Sequence, residues 1–371
     1  MKRLALVGFA LALVGCSSAP ERPEPTELDR IDDKVALSIQ WSENLGASAE
    51  QTAMLWPAVQ GDRIYAAAGE TLMALDAAGS VVWEQSLEQP VSGGVTAIGN
   101  QVVLSDAMGS IRSFNSANGQ ASWSWDWGRE TIVPVTAGQN GLLVRSTDES
   151  VALIDFQGNE IWQRQGTPAR LAYRGQARPL AVDGGYVLPN DSGEVMALLA
   201  QDGLNAWRRS LAGVRGELVD LDASPVIAAN SIIIGGAQTG LSALDPASGS
   251  VRWDVEVFSL LPLATDDQAI YATDLDGQVV AVNAASGEIL WRQTGLKFRF
   301  PSGPIATDEG IMVVDSLGVG HLLDTQNGAF IGRVKTGLSG AISLTAIEQD
   351  VLAMDNSGRL SRIGTEFGIN N

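Results

Sequence analysis

The chain has 371 residues, with 43 acidic against 24 basic side chains and a net charge of −19. Binding to a nucleic-acid backbone draws on clustered Lys and Arg, so this balance argues against nucleic acid as a partner. Hydrophobic residues at 45% and charged residues at 18% exclude a disordered chain and describe a folded body.

The N-terminus reads as an address. Lys2-Arg3 precede an apolar stretch, Leu4 to Val14, that is too short to span a bilayer. It ends in Leu13-Val14-Gly15-Cys16, which resembles the bacterial lipobox, in which the Cys becomes the lipidated first residue. Residues 1–15 are therefore expected to be a lipoprotein signal peptide and Cys16 the lipidation site. Cys16 is the only Cys in the chain, so no intramolecular disulfide can form. By resemblance to lipoprotein sorting, Ser17 at the next position directs the protein to the outer membrane. Residues 16–36 are Pro- and Glu-rich and read as a lipidated Cys and flexible tether. The tether would hang a folded body, residues 37–371, in the periplasm.

From there a phrase recurs: Gly, three residues, Trp. It falls at Gly79/Trp83, Gly119/Trp123, Gly158/Trp162, Gly203/Trp207, Gly249/Trp253 and Gly287/Trp291. Successive Trp are 40, 39, 45, 46 and 38 residues apart, and Trp41 stands 42 residues before Trp83. Gly328/Gly332 continues the series 41 residues on, with the Trp lost. Eight marks at a period near 40 residues predict radially stacked sheets. In six of the eight units a Pro-led segment (Pro57, Pro134, Pro179, Pro225, Pro262, Pro304) comes first, with Gly94-Val95 and Ser343-Leu344 in the same slot of the other two, followed by a β-branched run and then an alternating segment. That segment ends in Asp or Asn, and the Trp segment follows. Four short strands with period-2 alternation make one antiparallel sheet. Pro lacks an N–H and suits the innermost, edge strand. Asp76, Asp245, Asn283 and Asp324 are placed to start turns by bonding backbone two residues on. The expected fold is all-β: an eight-bladed β-propeller of four-stranded antiparallel sheets. Trp41, Trp83, Trp123, Trp162, Trp207, Trp253 and Trp291 are its blade-docking residues. The last repeat has only three strands of its own. Residues near Leu37–Leu45 are expected to supply the fourth, closing the ring by pairing the two chain ends.

Catalytic chemistry finds little support. The one histidine, His321, has no companion for a metal site or a nucleophilic triad, and reads as structural or exposed. No catalytic, cofactor-binding or metal-ligating residue is assigned. Ala243-Leu244-Asp245-Pro246-Ala247-Ser248-Gly249…Trp253 and its relatives resemble the tryptophan-docking repeat of quinoprotein alcohol dehydrogenases, which bind PQQ and calcium. A PQQ-dependent quinoprotein dehydrogenase-like enzyme is thus the alternative reading. Those enzymes are longer, and many carry a vicinal disulfide that a single Cys cannot make.

The repeat varies unevenly. From each Trp slot to the next Pro slot the counts are 16, 11, 11, 17, 18, 9, 13 and 11 residues. The length therefore varies in the outer-to-inner connections, which share one face of a propeller, and long loops on a rigid scaffold are where function usually sits. The two longest are consecutive. They carry Arg164, Arg170, Arg174, Arg178, Arg208, Arg209 and Arg215, together with Leu171, Tyr173, Asp220 and Asp222. Arginine and tyrosine with apolar neighbours are the usual anchors of protein interfaces. The stretch Lys297–Pro301 (Lys-Phe-Arg-Phe-Pro) is accounted for equally by blade packing and by a second contact.

Lipobox, acidic tether, eight degenerate Trp-docking repeats and the absence of catalytic insertions together resemble the BamB family, the propeller lipoproteins of the outer-membrane β-barrel assembly machinery. Leu171-Ala172-Tyr173-Arg174-Gly175 is similar to the family's Leu-x-Leu-Arg-Gly segment, with Tyr173 departing from its second Leu. Val219-Asp220-Leu221-Asp222-Ala223-Ser224-Pro225 is similar to its Asp-Val-Asp-x-x-Pro segment. The resemblance implies a non-catalytic scaffold lipoprotein of the outer-membrane β-barrel assembly (BAM) complex. Such a scaffold binds the POTRA domains of BamA and assists insertion of outer-membrane proteins. Leu171, Tyr173, Arg174, Asp220 and Asp222 would be the partner-binding residues. Unfolded outer-membrane proteins are a further implied partner, and a chaperone offering strand edges to extended clients is a third reading.

Overall fold

The computed structural model describes residues 23–46, 55–168, 177–211, 219–340 and 342–367. They form eight four-stranded antiparallel sheets, each in simple order from inner to outer strand. Blade 1 holds strands Ala58–Gln60, Arg63–Ala68, Thr71–Asp76 and Val81–Ser86. Blades 2 to 7 repeat this plan as far as Phe330–Lys335. Neighbouring inner strands touch all around the ring, and the circle closes where Ile342–Ile347 meets Ala58–Gln60. The described residues contain no helix.

Blade 8 closes as the repeat count requires. Its strands Ile342–Ile347, Asp350–Asp355 and Arg359–Phe367 are completed on the outside by Val35–Asn44. The register runs from Val35 opposite Phe367 to Asn44 opposite Arg359, with a bulge between Ile39 and Trp41. The strand starts two residues before the expected boundary at residue 37. Pairing the chain ends removes two open sheet edges.

The seven tryptophans act across blade boundaries. Each Nε1–H donates to a turn carbonyl of the following blade: Trp41 to Ala77, Trp83 to Ser116, Trp123 to Phe156, Trp162 to Ala200, Trp207 to Pro246, Trp253 to Ala284 and Trp291 to Thr325, at 2.8–3.0 Å. The ring lies flat on the glycine of that same turn. A Cβ on Gly249 (φ +65°) would come within 2.4 Å of Trp207, and one on Gly119 (φ +74°) within 2.6 Å of Trp83. Glycine is thus required twice over, for the left-handed backbone and for the ring's approach. Asp245, Asn283 and Asp324 cap these turns as expected, each accepting the backbone N–H two residues on at 2.8–3.1 Å, whereas Asp76 accepts that of Ser80, four residues on, at 2.8 Å. At the one junction without a Trp, a Cβ on Gly332 would meet the Val35 carbonyl at 2.7 Å and Leu37 at 3.2 Å. The N-terminal strand fills the space that an indole fills elsewhere.

The expected flexible tether is held to the body over its second half. The backbone N–H and Oγ1 of Thr26 donate to the Lys297 carbonyl, Arg299 donates to the Thr26 carbonyl, and Arg333 donates to the Asp29 carbonyl. Lys34 N–H donates to Ile331. Leu28 packs beside Trp291, Leu296 and Phe330. Lys297 lies in the connection between blades 6 and 7, whereas Ile331 opens the outer strand of blade 7 at the opposite face. The segment therefore climbs the outside of blade 7 from one face to the other. A polar composition did not disclose it, because backbone hydrogen bonds and one leucine do the fastening.

Candidate functional site

In an up-and-down blade, outer-to-inner connections and the turns between second and third strands emerge on the same face. The connections after Arg164 and after Ser210 therefore stand beside the turns at 146–150 and 190–193. Leu171, Tyr173 and Arg174, like Arg170 and Arg215, lie outside the described residues, as does Cys16. Asp220 and Asp222 are described, and their placement differs from an exposed contact: they are 0% and 5% exposed. Charged residues in a long loop read as solvated; these two point inward.

What they point toward is a buried ionic cluster shared by blades 3, 4 and 5. Arg145, at the end of strand Gly141–Arg145, is 2% exposed. Its guanidinium bonds both oxygens of Glu149 at 2.8 and 2.9 Å and the Ala177 carbonyl at 3.0 Å. Asp191 stands 3.6 Å from the same nitrogen. Burial, Glu149 and then Asp222 raise the pKa of Asp191 to about 8, with Arg145 opposing. Burial and Asp220 raise that of Asp222 to about 7. One Oδ atom of Asp191 and one of Asp222 have no hydrogen-bond partner. Among the described residues carboxylates outnumber the one guanidinium of this cluster, and protonation relieves the imbalance. Arg145, Glu149 and Asp191 lay outside the sequence reading. The sole signal was Asp148-Glu149-Ser150 at a turn, which looks like ordinary capping. Glu149 itself adopts φ +65° and accepts the tight approach of Gly166.

The arginine cluster divides by role. Arg164 donates to the carbonyl of Gly203 at 2.6 Å and Arg209 to that of Gly249 at 2.8 Å, each two residues after a docking Trp. They belong to the blade lock and not to the loops. Arg208 pairs with Glu194. Beside them a cleft of about 490 Å³ is lined by Glu149, Arg164, Thr167, Asn190, Glu194 and Arg208.

Of the two readings of Lys297–Pro301, packing holds for Arg299. Arg299 turns inward, 2.7 Å from Asp315, which also meets His321 Nε2 at 3.1 Å. Arg333 donates to His321 Nδ1 at 3.3 Å. His321 is fully buried, and burial lowers its pKa, so the imidazole is neutral and structural. Phe298 and Phe300 hold left-handed backbones at φ +58° and +50°, and Phe300 is 65% exposed. It borders an apolar pocket of about 430 Å³ with Leu260, Leu261, Leu275, Pro301 and Ile342, on the same face as the long connections. Among the described residues no group of His, Cys, Asp and Glu has the arrangement of a metal site.

A family model described as outer membrane protein assembly factor BamB matches residues 35–140, 129–293 and 237–366. The chain is similar to outer membrane protein assembly factor BamB of Pseudomonas aeruginosa, with 31% identity over 91% of this chain and 92% of that one. With the Yersinia pestis protein of that name it shares 26% identity over 98% and 97%, and with the Escherichia coli one 27% over 92% and 93%. Among solved structures, BamB from Moraxella catarrhalis superposes with a TM-score of 0.77 at 26% identity, covering 90% of this chain and 99% of that one. Quinohemoprotein alcohol dehydrogenase from Comamonas testosteroni superposes at 0.67 with 12% identity over 88% and 76%. That likeness extends to the fold alone.

Proposed function

This chain belongs to the outer membrane protein assembly factor BamB family, and from that membership we propose a non-catalytic scaffold that docks on the POTRA domains of a BamA-like partner through the connections after Arg164 and after Ser210. The docked scaffold assists insertion of outer-membrane proteins, anchored in the outer membrane through lipidated Cys16 and facing the periplasm. The observation that carries the reading is the common footing of the two loops. They rise from adjacent blades, on one face, over a single buried cluster of Arg145, Glu149, Asp191 and Asp222. A shared base couples their conformations, as a two-loop grip needs. In this reading Leu171, Tyr173 and Arg174 touch the partner, while Asp220 and Asp222 position the loops from beneath. Named relatives are assembly factors, in keeping with a role in protein contact and not in chemistry.

Pull-down of the BamA-like chain from solubilised outer membrane tests the assignment. Arg174→Ala is expected to reduce capture at least several-fold with an unchanged melting temperature. Loss of both together would make Arg174 structural, and loss of neither would remove the loop from the interface.

A further inference from the structure

The central channel carries a feature that the loop contact does not use. Trp56 stands just before the inner strand of blade 1 (Ala58–Gln60) and Arg178 just before that of blade 4 (Leu180–Val182). These strands are three blades apart, yet the Arg178 guanidinium lies 5.6 Å from the Trp56 ring centroid. The contact therefore crosses the channel, at its mouth on the loop face. Close approach is built in: a Cβ on Gly94 would meet the Trp56 backbone N at 2.8 Å and Pro134 at 3.2 Å.

Both side chains are donors without acceptors. Each of the seven docking tryptophans gives its Nε1–H to a carbonyl. Trp56, only 8% exposed, gives its own to none of the described residues. Neither this nitrogen nor those of the Arg178 guanidinium is sealed from solvent, so both side chains offer their donors to the channel. Arg178 makes neither a side-chain hydrogen bond nor an ion pair with any described residue. Only its backbone N–H is engaged, with Ser224 Oγ at 3.1 Å. Burial alone lowers its pKa, and no nearby carboxylate raises it. In a chain of net charge −19, a half-buried guanidinium with no described acid beside it is left free for an anionic partner.

We propose that Trp56 and Arg178 form a receptor for a carboxylate at the loop-face mouth of the central channel. The guanidinium fork matches the planar, singly charged group, and the indole N–H adds a third donor. A phosphate dianion would leave one charge uncompensated inside an acidic protein. The carboxylate comes either from an Asp or Glu side chain of a polypeptide seated on this face or from a small free acid.

The test is the Trp56 indole N–H resonance of ¹⁵N-labelled protein, identified by its loss in Trp56→Phe. Sodium acetate and a short Glu-rich peptide are titrated separately against chloride at constant ionic strength. The signal is expected to move saturably, with binding at least roughly tenfold weaker in Arg178→Gln at unchanged melting temperature. Movement with the peptide alone identifies a protein-borne carboxylate; movement with acetate as well identifies a small acid. Should Arg178→Gln fail to fold, Arg178→Lys keeps the charge without the fork and is expected to bind more weakly. No movement with either probe, or equal movement in the Arg178 variant, overturns the proposal.

Discussion

Gly249→Ala is the sharpest probe of how the blades hold together. Gly249 has φ +65°, and its added Cβ would lie 2.4, 2.7 and 2.8 Å from three atoms of the Trp207 ring. Gly61 offers the control, with φ +59° and nothing within 4 Å of the Cβ position. Both substitutions force an alanine into the left-handed region, at about 1–2 kcal/mol. Only Gly249→Ala must also move an indole that is 9% exposed and donates to the Pro246 carbonyl at 2.8 Å. Contacts of that length are about 1 Å too short for carbon atoms, so the whole ring has to retreat. Losing the hydrogen bond costs about 1 kcal/mol, and overpacking adds about 1–3 kcal/mol. The difference between the two variants is therefore expected at about 2–4 kcal/mol. Urea denaturation with matched slopes measures it. Equal destabilisation by the two substitutions would refute the argument that glycine is there for the ring and leave only its backbone freedom.

The acid cluster gives a pH prediction with a definite sign. Asp191 and Asp222 have folded pKa values of about 8 and about 7, well above the ordinary carboxylate range. The folded state holds protons that the unfolded chain has released, so this stability is present at pH 4 and is lost as pH rises toward 8. Asp191→Asn is expected to match the wild type at pH 4 and below and to exceed it increasingly, by a few kcal/mol, as pH rises to 8, as followed by melting temperature; a constant difference across that range would contradict the cluster. Phe300→Gly removes a left-handed non-glycine residue that is 65% exposed, and is expected to stabilise by roughly 0.5–1 kcal/mol in the same assay. Trp83→Phe forfeits the 2.9 Å bond to the Ser116 carbonyl, and is expected to cost about 1–2 kcal/mol, read from the urea midpoint.

The periodic features of this protein were open to reading because each is dictated locally. A glycine in a turn, an Asp cap and a Trp four residues on recur wherever a blade meets a blade. Counting strands exposed the one blade that needed its fourth strand from Val35–Asn44. Relations between distant residues stayed hidden. Nothing near Asp222 in sequence discloses Arg145 or Asp191, because the three meet only when blades 3, 4 and 5 stack. Arg164 and Arg209 looked like loop cations, although each stands two residues after a docking Trp, in reach of the carbonyl of the next turn's glycine. Trp56 and Arg178 are separated by three blades of chain and become neighbours only because the ring is narrow at its centre.

The fastened segment along blade 7 has a geometric consequence. Cys16 precedes Thr26 by ten residues, which span at most roughly 35 Å even when fully drawn out. Thr26 is bound at Lys297, on the rim that bears the long connections. With Cys16 as the lipid attachment proposed above, this rim stays within that reach of the bilayer. A protein gripped by the two loops would then be held on the same rim as the leash, within that same reach of the lipid.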